Sequence, residues 1–191
     1  SPDMKWFVTA ANRLNHVDLY QWQPAVAERP LKLVKRISTG KTPSHMWIDS
    51  KSTTAYVTMQ DSDEWVAIDC ETTGLNRRTD EIIAVGAVRI VGQRILTSQR
   101  LELLVRPDKE VPADSVRIHR LRSRDVAQGL PLDEAMRQLL HFIGSRPLVG
   151  YYLEFDVAML NRAVWPLLGM GLPQQRLEVS AMYYEYKFKQ L

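Results

Sequence analysis

Residues 65–75 read WVAIDCETTGL. Trp65, Val66, Ala67 and Ile68 form a short apolar run, and Thr72-Thr73-Gly74 closes the stretch, so it reads as a buried strand ending in a turn. Side chains alternate between the faces of a strand, which puts Asp69 and Glu71 on the same side of the pleat. Two carboxylates at a strand end suit a hard divalent cation such as magnesium or manganese. Spacing alone is a weak signal: at about 6% for each acid, roughly 0.7 Asp-x-Glu pairs are expected by chance in a chain this long. Asp108-Lys109-Glu110 is such a pair, in the Pro-flanked loop RPDKEVP. Position sets the first pair apart. It caps an apolar strand and precedes a turn expected to leave hydroxyls and N–H groups at the sheet edge.

Downstream, IIAVGAVRIV and ILTSQRLELLV read as a hairpin turning near Gly92-Gln93. Leu132, Ala135, Met136, Leu139, Leu140 and Ile143 recur at helical spacing, and Gly144 stops them. PLVGYY reads as a short buried strand. A second helix is expected from Asp156 to Leu168, with Leu160, Ala163, Val164 and Leu167 on one face and Gly169 as its stop. LEVSAM reads as a last strand, and YYEYKFKQL as the start of a helix.

Upstream the character changes. KWFVTAA, HVDLYQW, LKLVKRIS, HMWID and TAYVTM are short strand-like runs between Asn, Asp, Ser, Pro and Gly, without a helical period. Residues 1–60 carry five Lys and three Arg against four acids, whereas 61–191 carry 14 Arg and three Lys against 18 acids. Solvated Lys and Arg are largely interchangeable, so this swing suggests segments of different history. The expected division is 1–62 and 63–191.

The bulk composition of 191 residues, 45% hydrophobic and 25% charged, is that of a globular chain. No apolar run approaches the roughly 18 residues of a membrane span, and no signal-peptide pattern opens the chain. A single cysteine, Cys70, excludes an intramolecular disulfide and a multi-cysteine zinc site. A net charge of +3 does not by itself imply a nucleic-acid partner.

Over about residues 64–191, the order DCETTGL, hairpin, VPADSVRIHRLRSRDV, helix, and a strand running into GYYLEFDVAML resembles the DEDD-type 3′–5′ exonucleases. That family includes replicase proofreading subunits and RNase T-like enzymes. The resemblance implies an α/β, RNase H-like mixed sheet with flanking helices. It also implies two divalent cations, Mg or Mn, held by Asp69, Glu71 and Asp156 as the metal-binding and catalytic acids. Thr72, Thr73, Leu75, His119 and Phe155 fall at substrate-binding positions, with Phe155 packed beneath the site. Tyr151, Tyr152 and Leu153 stand where the family carries small and polar residues, and Arg120 replaces the glycine of an Ile-His-Gly-Ile turn. The implied substrate is a single-stranded DNA or RNA 3′ end, in the cytoplasm, with a polymerase or other protein partner left open. Arg117, Arg120, Arg122 and Arg124 form a basic run near the site.

The family's fourth acid, with a His or Tyr base four or five residues before it, has no counterpart. Asp156 is the last aspartate and His141 the last histidine, and only Glu178 and Glu185 follow as acids. Tyr183, Tyr184 and Tyr186 are candidate bases by type, with core or helix-face aromatics the favoured alternative. The expectation is an exonuclease domain that lacks its last motif at the C-terminus, with one sheet face partly uncovered and weak or absent activity.

TPSHMWIDSKSTTAYVTMQDSDEWVAID, residues 42–69, resembles a β-propeller repeat, most like those of the cytochrome-type nitrite reductases. Some sixty residues supply about one and a half blades of ~40–45 residues, so this β-rich piece is expected to be an appendage with open strand edges. His16 and His45 are the imaginable haem ligands, with exposed or turn-capping roles the alternative. Two other functions follow: a non-catalytic module binding nucleic-acid ends, or a fragment of a haem-carrying redox propeller. The run WVAID suits both families and marks a place where two ancestral pieces could join.

Overall fold

The structure is a computed structural model of the chain. It describes every residue except 27, 40, 49–50, 60–62 and 189–191. The N-terminal segment contains β1 (Trp6–Ala11), β2 (His16–Trp22), β3 (Leu31–Ser38), β4 (Pro43–Ile48) and β5 (Ala55–Met59). β1, β2 and β3 form an antiparallel three-stranded sheet, and β4 and β5 form a separate hairpin. All of β3 is exposed, including Leu31, Leu33, Val34 and Ile37. An apolar cleft of about 440 Å³ opens between Trp6, Val8, Val17, Leu19, Ile37 and Ile48.

The second segment follows with β6 (Glu64–Thr72), β7 (Ile82–Val91), β8 (Arg94–Leu104), α1 (Ala113–His119), α2 (Ser123–Val126), α3 (Leu132–Ile143), β9 (Leu148–Gly150), α4 (Leu153–Leu168), β10 (Arg176–Glu178) and α5 (Val179–Phe188). Its sheet runs β10-β9-β6-β7-β8, with β6, β7 and β8 antiparallel in turn and β9 and β10 parallel to β6. Val66, Ile68 and Cys70 point from central β6 into the core. Against them pack Ala135, Met136, Leu139, Leu140 and Ile143 of α3, and Leu153, Val157, Leu160 and Val164 of α4. A smaller cluster of Ile83, Val111 and Val126 seats α1 and α2 against β7. Among the described residues no helix is long and apolar enough to cross a membrane.

Three local expectations are corrected. Strand β9 stops at Gly150, so Tyr151 and Tyr152 form a turn, with Tyr152 at φ +56. Helix α4 starts at Leu153, three residues earlier than the apolar pattern indicated. The last strand is only Arg176–Glu178, because the Glu178 carboxylate accepts the Ser180 N–H (3.0 Å) and Oγ–H (2.8 Å) and opens α5 at Val179. Tyr183, Tyr184 and Tyr186 are exposed on α5 and lie outside the core.

Candidate active site

The site forms where β6 and β9 part. The two strands pair only at Val66–Leu148 and Ala67–Val149. Gly150 permits this close approach, since a Cβ there would lie 3.0 Å from the Ile68 carbonyl oxygen and 2.9 Å from Leu153. Beyond it, β6 has no neighbour on that side, and α4 delivers Asp156 into the gap. Asp156 is 4% exposed, and its Oδ1 accepts the Cys70 N–H at 3.0 Å. One face of β6 presents Asp69, exposed, and Glu71, half-buried. Opposite them on β7 stand Gly86 and Ala84, which crowd neither carboxylate.

These acids shape one another's charge. Burial, then the Asp69 carboxylate, pushes Asp156 up to about 7 despite the Cys70 N–H. Burial also raises Asp69. Glu71 is raised by burial and by Asp69, with His119 acting the other way. The Cys70 thiol, on the core face of β6, is buried and stays protonated, pushed well up by burial and by Asp156. Three neighbouring carboxylates, graded from buried Asp156 to exposed Asp69, have the donor chemistry of a hard-cation site. Among the described residues no three His, Cys, Asp or Glu side chains converge tightly enough to hold one ion.

The turn after Glu71 is bound up internally. Thr72 Oγ1 donates to the Gly74 carbonyl (2.6 Å), and Thr73 Oγ1 donates to Asp80 Oδ1 (3.1 Å) and accepts the Glu81 N–H (3.0 Å). The hydroxyls expected at the sheet edge are therefore engaged, while Leu75 stands 81% exposed. Asp80 also accepts the Asn76 N–H, Ser115 Oγ donates to the Thr73 carbonyl (2.7 Å), and Arg162 of α4 donates to the Arg77 and Asp80 carbonyls. Asp80, Ser115 and Arg162 had no motif to mark them, because their work is on backbone carbonyls and a turn. Phe155 is half-buried against the core, with the Arg77 guanidinium 5.9 Å from its ring centre.

His119 ends α1. Its Nδ1 accepts the Leu121 N–H (3.1 Å), which assigns the proton to Nε2. That Nε2 is buried without a protein partner. Arg120 sits at φ +64 as the α1 cap, so the turn keeps the left-handed geometry that a glycine would adopt freely. The basic run is partly paired: Arg117 meets Asp114 at 3.0 Å and Arg124 meets Asp125 at 3.7 Å. On the Asp69 face of the sheet, an open trough of about 320 Å³ runs over Ala67, Gly86, Val88 and Val149, with Arg100 and Glu102 beyond.

Glu178 is committed elsewhere. Burial would raise it, but the Ser180 hydrogen bonds and the Tyr152 N–H (2.8 Å) hold it below the usual range. Glu185 lies on exposed α5. In the N-terminal segment, His16 is buried, not exposed, with Nε2 3.6 Å from Asp18. The His45 side chain lies outside what the structure describes.

Comparison with known proteins agrees with this fold. The family model described as "Exonuclease" matches residues 66–184, and this chain belongs to that family. Exonucleases of this kind use divalent metal ions. A YNCE-like β-propeller model matches residues 1–91, overlapping the exonuclease match in β6 and β7, which the structure places in the five-stranded sheet. A PolC-type DNA polymerase III of Thermotoga maritima is 30% identical over 118 residues, covering 62% of this chain and 8% of that protein. The DNA polymerase III epsilon subunit of Treponema pallidum is 32% identical over 142 residues, covering 63% of this chain and 64% of that one. The chain thus spans less than two thirds of these relatives' own length. E. coli exonuclease I in complex with a dT13 oligonucleotide shares the fold, with a TM-score of 0.57, 14% identity, and coverage of 65% of this chain and 30% of that one.

Proposed function

We propose that residues 63–191 form a metal-dependent 3′–5′ exonuclease unit acting on single-stranded DNA or RNA ends in the cytoplasm, and that residues 1–62 are a separate β-rich appendage. One observation carries this reading: Asp156 is buried at the β6–β9 parting, on the Cys70 N–H and beside Asp69 and Glu71. Two divalent cations, Mg or Mn, held by Asp69, Glu71 and Asp156, would supply a hydroxide at neutral pH and charge neutralisation at the phosphate. The Cys70 N–H fixes the Asp156 carboxylate at the strand gap. Leu75 offers an apolar surface to a terminal base, and His119 acts on the charge of Glu71. A polymerase is the natural partner by kinship with the epsilon subunits.

The general base is not assigned in this reading. The sequence has no Asp after Asp156 and no His after His141, and Glu178 is engaged in capping α5. A positioned base is worth about 10²–10⁴-fold in rate. That same commitment of Glu178 favours the second reading, a module that binds 3′ ends without cutting them. The test is degradation of 3′-labelled single-stranded DNA and RNA with magnesium or manganese, alongside Asp69→Ala. The expected result is metal-dependent loss of nucleotides that Asp69→Ala abolishes. Binding without any loss would leave the end-binding module.

A further inference from the structure

We propose that Tyr151, Tyr152, Tyr183 and Tyr184 form a base-stacking platform that receives single-stranded nucleic acid on its way to the Asp69–Glu71–Asp156 site. The inference rests on the exonuclease reading for the direction of the strand.

The register places the four rings at the same end of the sheet as the acids. Val149 lies level with Ala67, so the Tyr151–Tyr152 turn leaves β9 beside the end of β6 where Asp69 and Glu71 stand. Glu178 lies level with Gly150, so α5 departs from that edge as well and brings Tyr183 and Tyr184 alongside. The rings hold one another. Tyr151 and Tyr152 meet edge-on, centres 4.8 Å apart at 84°. Tyr183 and Tyr184 stand 6.1 Å apart at 67°, and the Tyr152 and Tyr184 hydroxyls lie 3.1 Å from each other. All four are nevertheless 44–56% exposed.

Half-exposed rings fixed through their edges and hydroxyls keep faces free, and a planar base is the partner that uses such a face. The backbone reinforces the arrangement. Tyr152 is held at φ +56, unusual for a bulky residue, by the Glu178 carboxylate on its N–H. Lys187 sits 5.1 Å from the Tyr183 ring centre and supplies a cation where a phosphate backbone would pass. The hydrogen bond with Tyr184 pushes the Tyr152 phenol up to about 12.

The test compares binding of oligothymidylate with binding of an abasic oligonucleotide of equal length, with calcium replacing magnesium to suppress cleavage. The wild-type chain should favour the oligothymidylate. Tyr151→Ala with Tyr183→Ala should weaken that binding by roughly 10-fold or more and leave the abasic strand unaffected, following the usual worth of base–aromatic stacking. Tyr151→Phe with Tyr183→Phe should restore the preference, which separates stacking from damage to the fold. Equal wild-type affinity for the two strands, or equal weakening of both by the alanines, overturns the platform. Metal-dependent cleavage by wild type without base preference removes the platform and leaves the exonuclease reading. Base preference without cleavage does the reverse.

Discussion

Asp156 carries an electrostatic burden that a bound cation would relieve. At 4% exposure, with Asp69 and Glu71 acting on it, its ionised form is opposed by burial first and by like charge second. Asn in its place keeps an oxygen for the Cys70 N–H and sheds the charge. Asp156→Asn should therefore melt several degrees higher than wild type when both are metal-free at mildly alkaline pH. Divalent metal should raise wild type and leave the variant unmoved, and the variant should lose all cleavage. Thermal melts with chelator and with metal decide it; a variant less stable than wild type without metal would refute the charge argument. Arg120 offers a second residue-scale case. An L-residue at φ +64 is strained by about 1 kcal/mol relative to glycine. Arg120→Gly should raise stability by about that amount in a urea titration, provided glycine's extra freedom in the unfolded chain does not offset it.

At the scale of elements, Glu64 ties three of them together. Its Oε2 accepts from Arg146 after α3 (2.7 Å) and from Arg89 on β7 (2.5 Å). Arg146 foremost, with Arg89 behind it, holds the carboxyl below its usual 4.5 against the effect of burial. A depressed carboxyl stabilises the fold above the unfolded pKa and loses that contribution as pH falls through the folded one. Glu64→Gln should thus be destabilised by about 1 kcal/mol at pH 7, modest because the side chain is 39% exposed. The difference should vanish toward pH 3, and urea midpoints across that range would show it. A gap that persisted in acid would mean that Glu64 acts by packing. Leu139, fully buried in α3, should cost about 2–5 kcal/mol as Leu139→Ala.

Legibility in the sequence followed the same scales. Helix α3 was readable because its apolar spacing and Gly144 act within a dozen residues, and β6 because an apolar run ended at two acids. Asp69, Glu71 and Asp156 were marked by motif, and the fold sets them at one strand end. The start of α5 was missed because its cap comes from Glu178, inside what reads as a strand. The engagement of Thr72 and Thr73 depends on Asp80 and Glu81, whose return past the turn no periodicity announces.

At the scale of the molecule, the two segments build separate sheets. Among the described residues, no strand before residue 62 is hydrogen-bonded into the five-stranded sheet. Every buried residue of the main core lies between Val66 and Leu172. A unit with its own core and sheet should fold by itself. Residues 63–191 alone should therefore keep the far-ultraviolet circular dichroism of the α/β unit and melt within a few degrees of the full chain. They should also retain whatever metal-dependent activity the full chain has. The N-terminal piece, with β3 exposed along its length and an apolar cleft beside it, should melt earlier or self-associate when isolated. If the 63–191 piece aggregated or lost most of its thermal stability, the β-rich segment would be covering part of the exonuclease surface. The first place to look would then be the groove where Thr53, Thr54 and Ala55 approach Arg137, Leu140 and Leu167.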